Sequence, residues 1–169
     1  MIRKSLLLVA LLASFARAQQ PPVNSPLLDH LVGAWTLEGT IAGEQVTHDI
    51  SAEWMLDHHY LRIHEVSREM DKGKPKYEAV VVVAWNEQPK QYACAWFDVL
   101  GGLAAESIGI ASPKEDDIPF VFKDEKGNVT ITNDMRYLAA SDTWEWRIDN
   151  VDKGVASPFA RVKLSRTAH

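Results

Sequence analysis

Cysteine is nearly absent: Cys94 is the only one in 169 residues, so no disulfide can form within the chain. It lies in the strand-like apolar run Tyr92-Ala93-Cys94-Ala95-Trp96 and reads as a small buried hydrophobe rather than a reactive thiol. Basic residues are in deficit, 18 Lys and Arg against 23 Asp and Glu, for a formal net charge of -5. That balance argues against nucleic acid, which selects basic patches. The longest apolar stretch, Leu6 to Phe15, falls short of the roughly 20 residues that span a bilayer. Catalytic signatures are missing as well: there is no Gly-x-Ser-x-Gly, P-loop or Gly-x-Gly-x-x-Gly. Metal-ligand spacings are also lacking. His58 and His59 are adjacent, and neighbours on an extended chain point to opposite sides.

What is present begins at the amino terminus. Met1-Ile2-Arg3-Lys4, the apolar stretch and Ala16-Arg17-Ala18 have the layout of a secretory signal peptide. Residues 1–18 are therefore expected to be removed near Ala18 and the protein exported, to a periplasm or beyond the cell. Their loss takes away Arg3, Lys4 and Arg17 and no acidic residue, which moves the charge to -8. Residues 19–26 read as a flexible, proline-bearing lead-in, and residues 27–169 as one domain, enough chain to bury a core.

Past Ala34 the pattern is strand after strand. Ten short alternating or β-rich runs are separated by Gly, Pro, Asn, Asp and Lys: Trp35–Ile41, Gln45–Met55, Tyr60–Arg68, Lys76–Trp85, Gln91–Asp98, Ala105–Ala111, Ile118–Lys123, Asn128–Leu138, Thr143–Val151 and Ala156–Arg166. Tight connections imply antiparallel pairing of successive strands, and closing the sheet removes both free edges. The expected fold is all-β: a single antiparallel up-and-down barrel of about ten strands, with a short helix near Leu27–Val32 ahead of it. A barrel of that size has an interior that side chains alone need not fill.

Alternation also orients the second and third strands. If Asp57-His58 is a two-residue turn, Glu53 stands opposite Arg62 and Ser51 opposite His64, a register preferred because a one-residue slip would bury Arg62 and His64 in place of Leu61 and Ile63. Val46, His48, Ile50, Ala52 and Trp54 then share an inner face with Leu61, Ile63, Glu65 and Ser67. His48 and Glu65 become a candidate polar centre, since an inward carboxylate must pair, neutralise or meet water. On the fifth run Trp96 and Asp98 share a face, where Asp98 orients a ligand or caps the turn before Gly101-Gly102. The candidate ligand-binding set is thus His48, Trp54, Ile63, Glu65, Trp96 and Asp98. The run Ala79–Trp85 is apolar on both faces, so its outer face is expected to be covered by the short helix, the amino-terminal arm or a second subunit in a homodimer.

Leu28-x-x-Leu31-x-Gly33-x-Trp35 with Gly39, Leu56-Asp57-His58-x-Tyr60-Leu61-Arg62-Ile63-His64-Glu65, Tyr92-x-x-x-Trp96-x-Asp98 and Asp142-Thr143-Trp144 together resemble a bacterial family of lipocalin-like (calycin) barrels with no established activity. The resemblance covers most of residues 27–169. It implies that Gly33 and Trp35 plug one end of the barrel, with a final-strand arginine, Arg161 or Arg166, against the indole; Arg161 is taken for that place. A more distant likeness is to nitrobindins, ten-stranded barrels that hold haem through a histidine near the chain's end. Here the last strand has no histidine and His169 stands beyond it, so neither haem nor another cofactor is expected.

The function these readings favour is retention of a small apolar or amphipathic molecule inside the barrel, at the end away from Trp35. The competing expectations are a hydrolase or isomerase using a cavity histidine or carboxylate, and a non-catalytic partner-binding or oligomeric protein.

Overall fold

The structure is a computed structural model that describes residues 25–167. The expected signal peptide, residues 19–24 of the lead-in and His169 lie outside the described residues. Helix α1 (Pro26–Asp29) opens the described chain, with Ser25 at its amino-terminal cap and Pro26 in its first turn. Ser25 Oγ accepts the Leu28 N–H and shares a hydrogen bond with the Tyr92 hydroxyl. Four residues make a weak helix in isolation; its hold comes from Leu28 and Leu31, both fully buried.

The strands follow as β1 (Gly33–Ile41), β2 (Glu44–Met55), β3 (Tyr60–Ser67), the ribbon β4 (Met70–Asp71) and β5 (Lys74–Pro75), then β6 (Glu78–Asn86), β7 (Gln91–Asp98), β8 (Ile108–Ala111), β9 (Asp117–Lys123), β10 (Val129–Leu138), β11 (Thr143–Asp152) and β12 (Val155–Arg166). All but the ribbon close into one ten-stranded antiparallel barrel of order β1-β12-β11-β10-β9-β8-β7-β6-β3-β2. Each barrel strand pairs with the next in sequence, and β1 with β12 completes the ring from Trp35↔Arg166 to Ile41↔Ala160. This is the up-and-down barrel expected from the ten β-rich runs. Two details differ. Residues 105–107 form a 3₁₀ turn rather than the start of a strand, and the helical segment is shorter than Leu27–Val32.

The β2–β3 register places Glu53 opposite Arg62 and Ser51 opposite His64. Burial alternates accordingly, with His48, Ile50, Ala52, Leu61, Ile63, Glu65 and Ser67 all buried. The last pair is Met55↔Tyr60, so the connection is Leu56–His59, in which Leu56, Asp57 and His58 have φ of 51°, 56° and 64°. His58 stacks on Trp54 at 4.0 Å and faces Asp29 at 3.6 Å, while His59 Nδ1 lies 2.8 Å from the Leu56 carbonyl.

One end of the barrel is closed. Trp35 is completely buried, and its indole N–H donates to the Leu31 carbonyl at 2.7 Å. The arginine stacked on it is Arg166, with Cζ 3.7 Å from the ring centroid. Arg161, the residue favoured from sequence, points outward to Asp149 and the Ile148 carbonyl. The physical reason is parity: Ala160, Val162 and Leu164 face the core, which puts residue 166 on the inner face at the barrel's end and residue 161 on the outer one. Arg166 also donates to the Val32 and His30 carbonyls and to Asp142, fastening the helix turn across the β1–β12 seam. Gly33 permits this. Its φ is +121°, and a Cβ there would stand 2.7 Å from Arg166 Nη1.

Because α1 sits at this closed end, it does not cover the outer face of β6. Val80 and Val82 are half-buried there, beside the more exposed Phe97, Ile108 and Ile110.

Candidate functional site

Above the Trp35 floor the packing opens into a cavity of about 590 Å³, bounded at its outer end by the β1–β2, β3–β6 and β7–β8 connections. Its walls are mostly apolar: Leu37, Phe122, Ile131, Trp146, Ile148 and Val162. A cavity of this size at one end of a barrel, with a few polar groups set into apolar walls, is the usual form of a small-molecule site.

His48 and Glu65 are brought together on one wall. They are diagonal neighbours on β2 and β3, both buried, and His48 Nδ1–H donates to Glu65 Oε1 at 2.5 Å. That bond holds the imidazole with Nε2 toward Glu69, 3.9 Å from Oε2. Tyr77 stacks over the ring at 5.9 Å and receives the Trp96 indole N–H on its hydroxyl at 3.0 Å. Burial, reinforced by the Glu65 charge, pushes the Tyr77 phenol well above its ordinary range, so it remains a neutral hydroxyl. Glu69 is the opposite case. The Ser67 hydroxyl donates to it at 2.7 Å and the Thr47 N–H at 3.2 Å, which holds its carboxyl below the ordinary value.

Four of the six residues expected to meet a ligand therefore line the cavity: His48, Glu65, Trp96 and Asp98. Asp98 also accepts the Leu100 N–H at 2.8 Å, the turn-capping role weighed for it from sequence. Trp54 and Ile63 do not line it. They share the inner face with His48 but lie toward the closed end, where Trp54 donates to Asp29 and Ile63 is packed in the core. Alternation gives the side of the wall, not the depth along it.

The opposite wall supplies what sequence reasoning missed. β10 is five strands from β3 in either direction around the ring. Asn133 on β10 is 1% exposed and its Oδ1 has no partner; Trp146 on β11, 2% exposed, has an indole N–H in the same condition. Asn133 pairs with Ile148, which makes Trp146 its diagonal neighbour. A buried acceptor and a buried donor without partners are costly, and both line the cavity. The signal was a polar residue at an inward position of the series Ile131, Asn133, Met135, Tyr137.

Ser67 stands opposite His48 in the register, yet its hydroxyl donates to Glu69 rather than to the imidazole. Among the described residues no cluster of three His, Cys, Asp or Glu side chains is placed to hold a metal, and no helix is long and apolar enough to cross a membrane.

The fold and the site together define a lipocalin-like barrel with one closed end and an interior cavity at the other. No family model matches the chain, and no curated protein matches it.

Proposed function

We propose that the protein is an exported barrel that holds a small, partly apolar molecule in the cavity opposite Trp35. The observation that carries this reading is the pair Asn133 Oδ1 and Trp146 Nε1, two buried polar atoms with no protein partner on the wall of a 590 Å³ space. The apolar wall supplies affinity through burial, and the polar atoms fix orientation. The sequence resemblance to bacterial lipocalin-like barrels supports the same reading, and the leader-like residues 1–18 support export. The reading assigns no haem, since the last strand lacks the histidine through which nitrobindins hold it.

The test is titration with the neutral apolar dye N-phenyl-1-naphthylamine. Enhanced dye fluorescence with saturable binding is expected, together with its loss in Ile131→Trp, which fills the cavity. A correctly folded protein, by circular dichroism, that leaves the dye unbound would overturn the reading. Native mass spectrometry of protein purified from its own host would show both a retained molecule and the expected mature start at Gln19.

A second reading, self-association, rests on the outer face of β6–β8. The register aligns Val82, Ala95 and Ile108 in one row and Ala84, Ala93 and Ile110 in the next, an apolar surface with Phe97 at its border. A homodimer would cover it. Sedimentation would then show a dimer that Val82→Lys converts to monomer.

A further inference from the structure

The cavity and the outer wall treat carboxylates differently. Outside, Asp49 is paired with Arg68, Glu53 with Arg62, Glu145 with Arg147 and Asp149 with Arg161. The cavity is lined by five carboxylates, Glu44, Glu65, Glu69, Asp98 and Glu106, against the single ammonium of Lys76 and no arginine. Among the described residues none of these five is paired with a lysine or an arginine; the only basic partner is His48, on Glu65 and more distantly on Glu69. Glu69 is held in its ionised form by Ser67 and Thr47. Of the two orphaned atoms on the opposite wall, the 1% exposed Asn133 Oδ1 is a further acceptor and Trp146 Nε1 a donor, so the excess of negative charge comes from the carboxylates.

We infer that the ligand is an amphipathic amine, bound as its ammonium ion. This rests on the cavity-binding reading above and goes further by naming the head group. An ammonium is all donor and carries the charge that, against five carboxylates, the cavity supplies only through Lys76. Carboxylates at the mouth attract a cation and repel an anion before contact, and apolar walls with restricted access to water strengthen both effects. Tyr77, Trp96 and Trp146 present ring systems that also favour a cation. The alkyl part packs against Leu37, Phe122, Ile148 and Val162. A fatty acid, the obvious alternative occupant of an apolar barrel, would bring a further negative charge among five carboxylates.

The test is calorimetric titration of the full protein at pH 7 with octylamine, 1-octanol and octanoate, all below their aggregation concentrations. Their tails are equal and only the head differs. Octylamine is expected to bind at least about tenfold more tightly than octanoate, with octanol between them, and the amine's advantage is expected to shrink as salt is raised. Glu69→Gln and Asp98→Asn should each narrow the ratio of amine to alcohol affinity several-fold. These are two separate variants, so misfolding of one leaves the other to decide. Equal or tighter binding of octanoate, or an amine-to-alcohol ratio unchanged in both folded variants, overturns the head-group assignment. If N-phenyl-1-naphthylamine binds while the amine shows no preference, the assignment alone falls. If neither the dye nor any of the three compounds binds, the cavity reading falls with it.

Discussion

The guanidinium of Arg166 lies 3.7 Å above the indole of Trp35, and the two residues are direct partners across the β1–β12 seam. The same side chain donates to two carbonyls of the turn after α1 and to Asp142, so one residue joins the helix, the floor and the seam.

Removing that side chain should be felt more than its exposed position suggests. Arg166→Ala is expected to lower stability by about 2 kcal/mol, combining a cation–π contact with lost charge-assisted hydrogen bonds. Arg161→Ala, which breaks an outer-wall ion pair, should cost about 1 kcal/mol or less. Urea unfolding monitored by tryptophan fluorescence separates the two. Gly33→Ala should cost about 1–3 kcal/mol through backbone strain, and less in an Arg166→Ala background, where the clash with Nη1 is gone.

Acid should erase part of the Arg166 effect. The hydrogen bond from Arg166 holds the Asp142 carboxyl below its ordinary value of 3.8. A carboxyl depressed on folding contributes stability that is present above its unfolded pKa and lost as pH falls through its folded value. The stability difference between wild type and Arg166→Ala is therefore expected to be constant from neutral pH down to about 5 and to shrink below about pH 4. Denaturant midpoints for both proteins at pH 7, 4 and 3 check it; a difference that grows in acid would contradict it.

The buried pair should respond asymmetrically. His48→Leu leaves Glu65 in the wall without its partner and is expected to cost about 3–5 kcal/mol, whereas His48→Leu combined with Glu65→Leu should cost considerably less. Thermal or urea unfolding of the two variants measures the gap. Losses that simply add would mean that the two side chains are not coupled.

Cys94 should be silent until the barrel opens. It is buried beside Gly109, and burial pushes its thiol up to about 12. A thiol reagent at pH 8 is expected to label the native protein at the rate of unfolding, with full labelling in denaturant. Rapid native labelling would show that the β7–β8 seam breathes.

Much of this fold is legible in the chain because alternation in a barrel reports a real division between core and solvent. It sets the β2–β3 register, from Glu53↔Arg62 to the shared inner face of His48 and Glu65. It would also have selected Arg166 over Arg161, had Ala160, Val162 and Leu164 been read as the inner series. Depth is another matter. Trp54 and His48 have the same parity, yet one stacks with His58 near the floor and the other faces the cavity. Glu69 and Tyr77 were out of reach for a different reason. They flank the β4–β5 ribbon, outside any barrel strand, and only the three-dimensional path of that excursion brings them over His48.

The floor has a consequence for how the protein comes into being. Arg166 and Val32 are 134 residues apart in the chain, while every other barrel seam joins barrel strands that follow one another in the sequence. An emerging chain can zip hairpin after hairpin as each strand is made, but until β12 arrives the growing sheet has two raw edges and Trp35 has no lid. Long-range closure of this kind is slow. Completion of the floor and creation of the cavity both wait for the last strand, and a chain stopped short of β12 would have no inside.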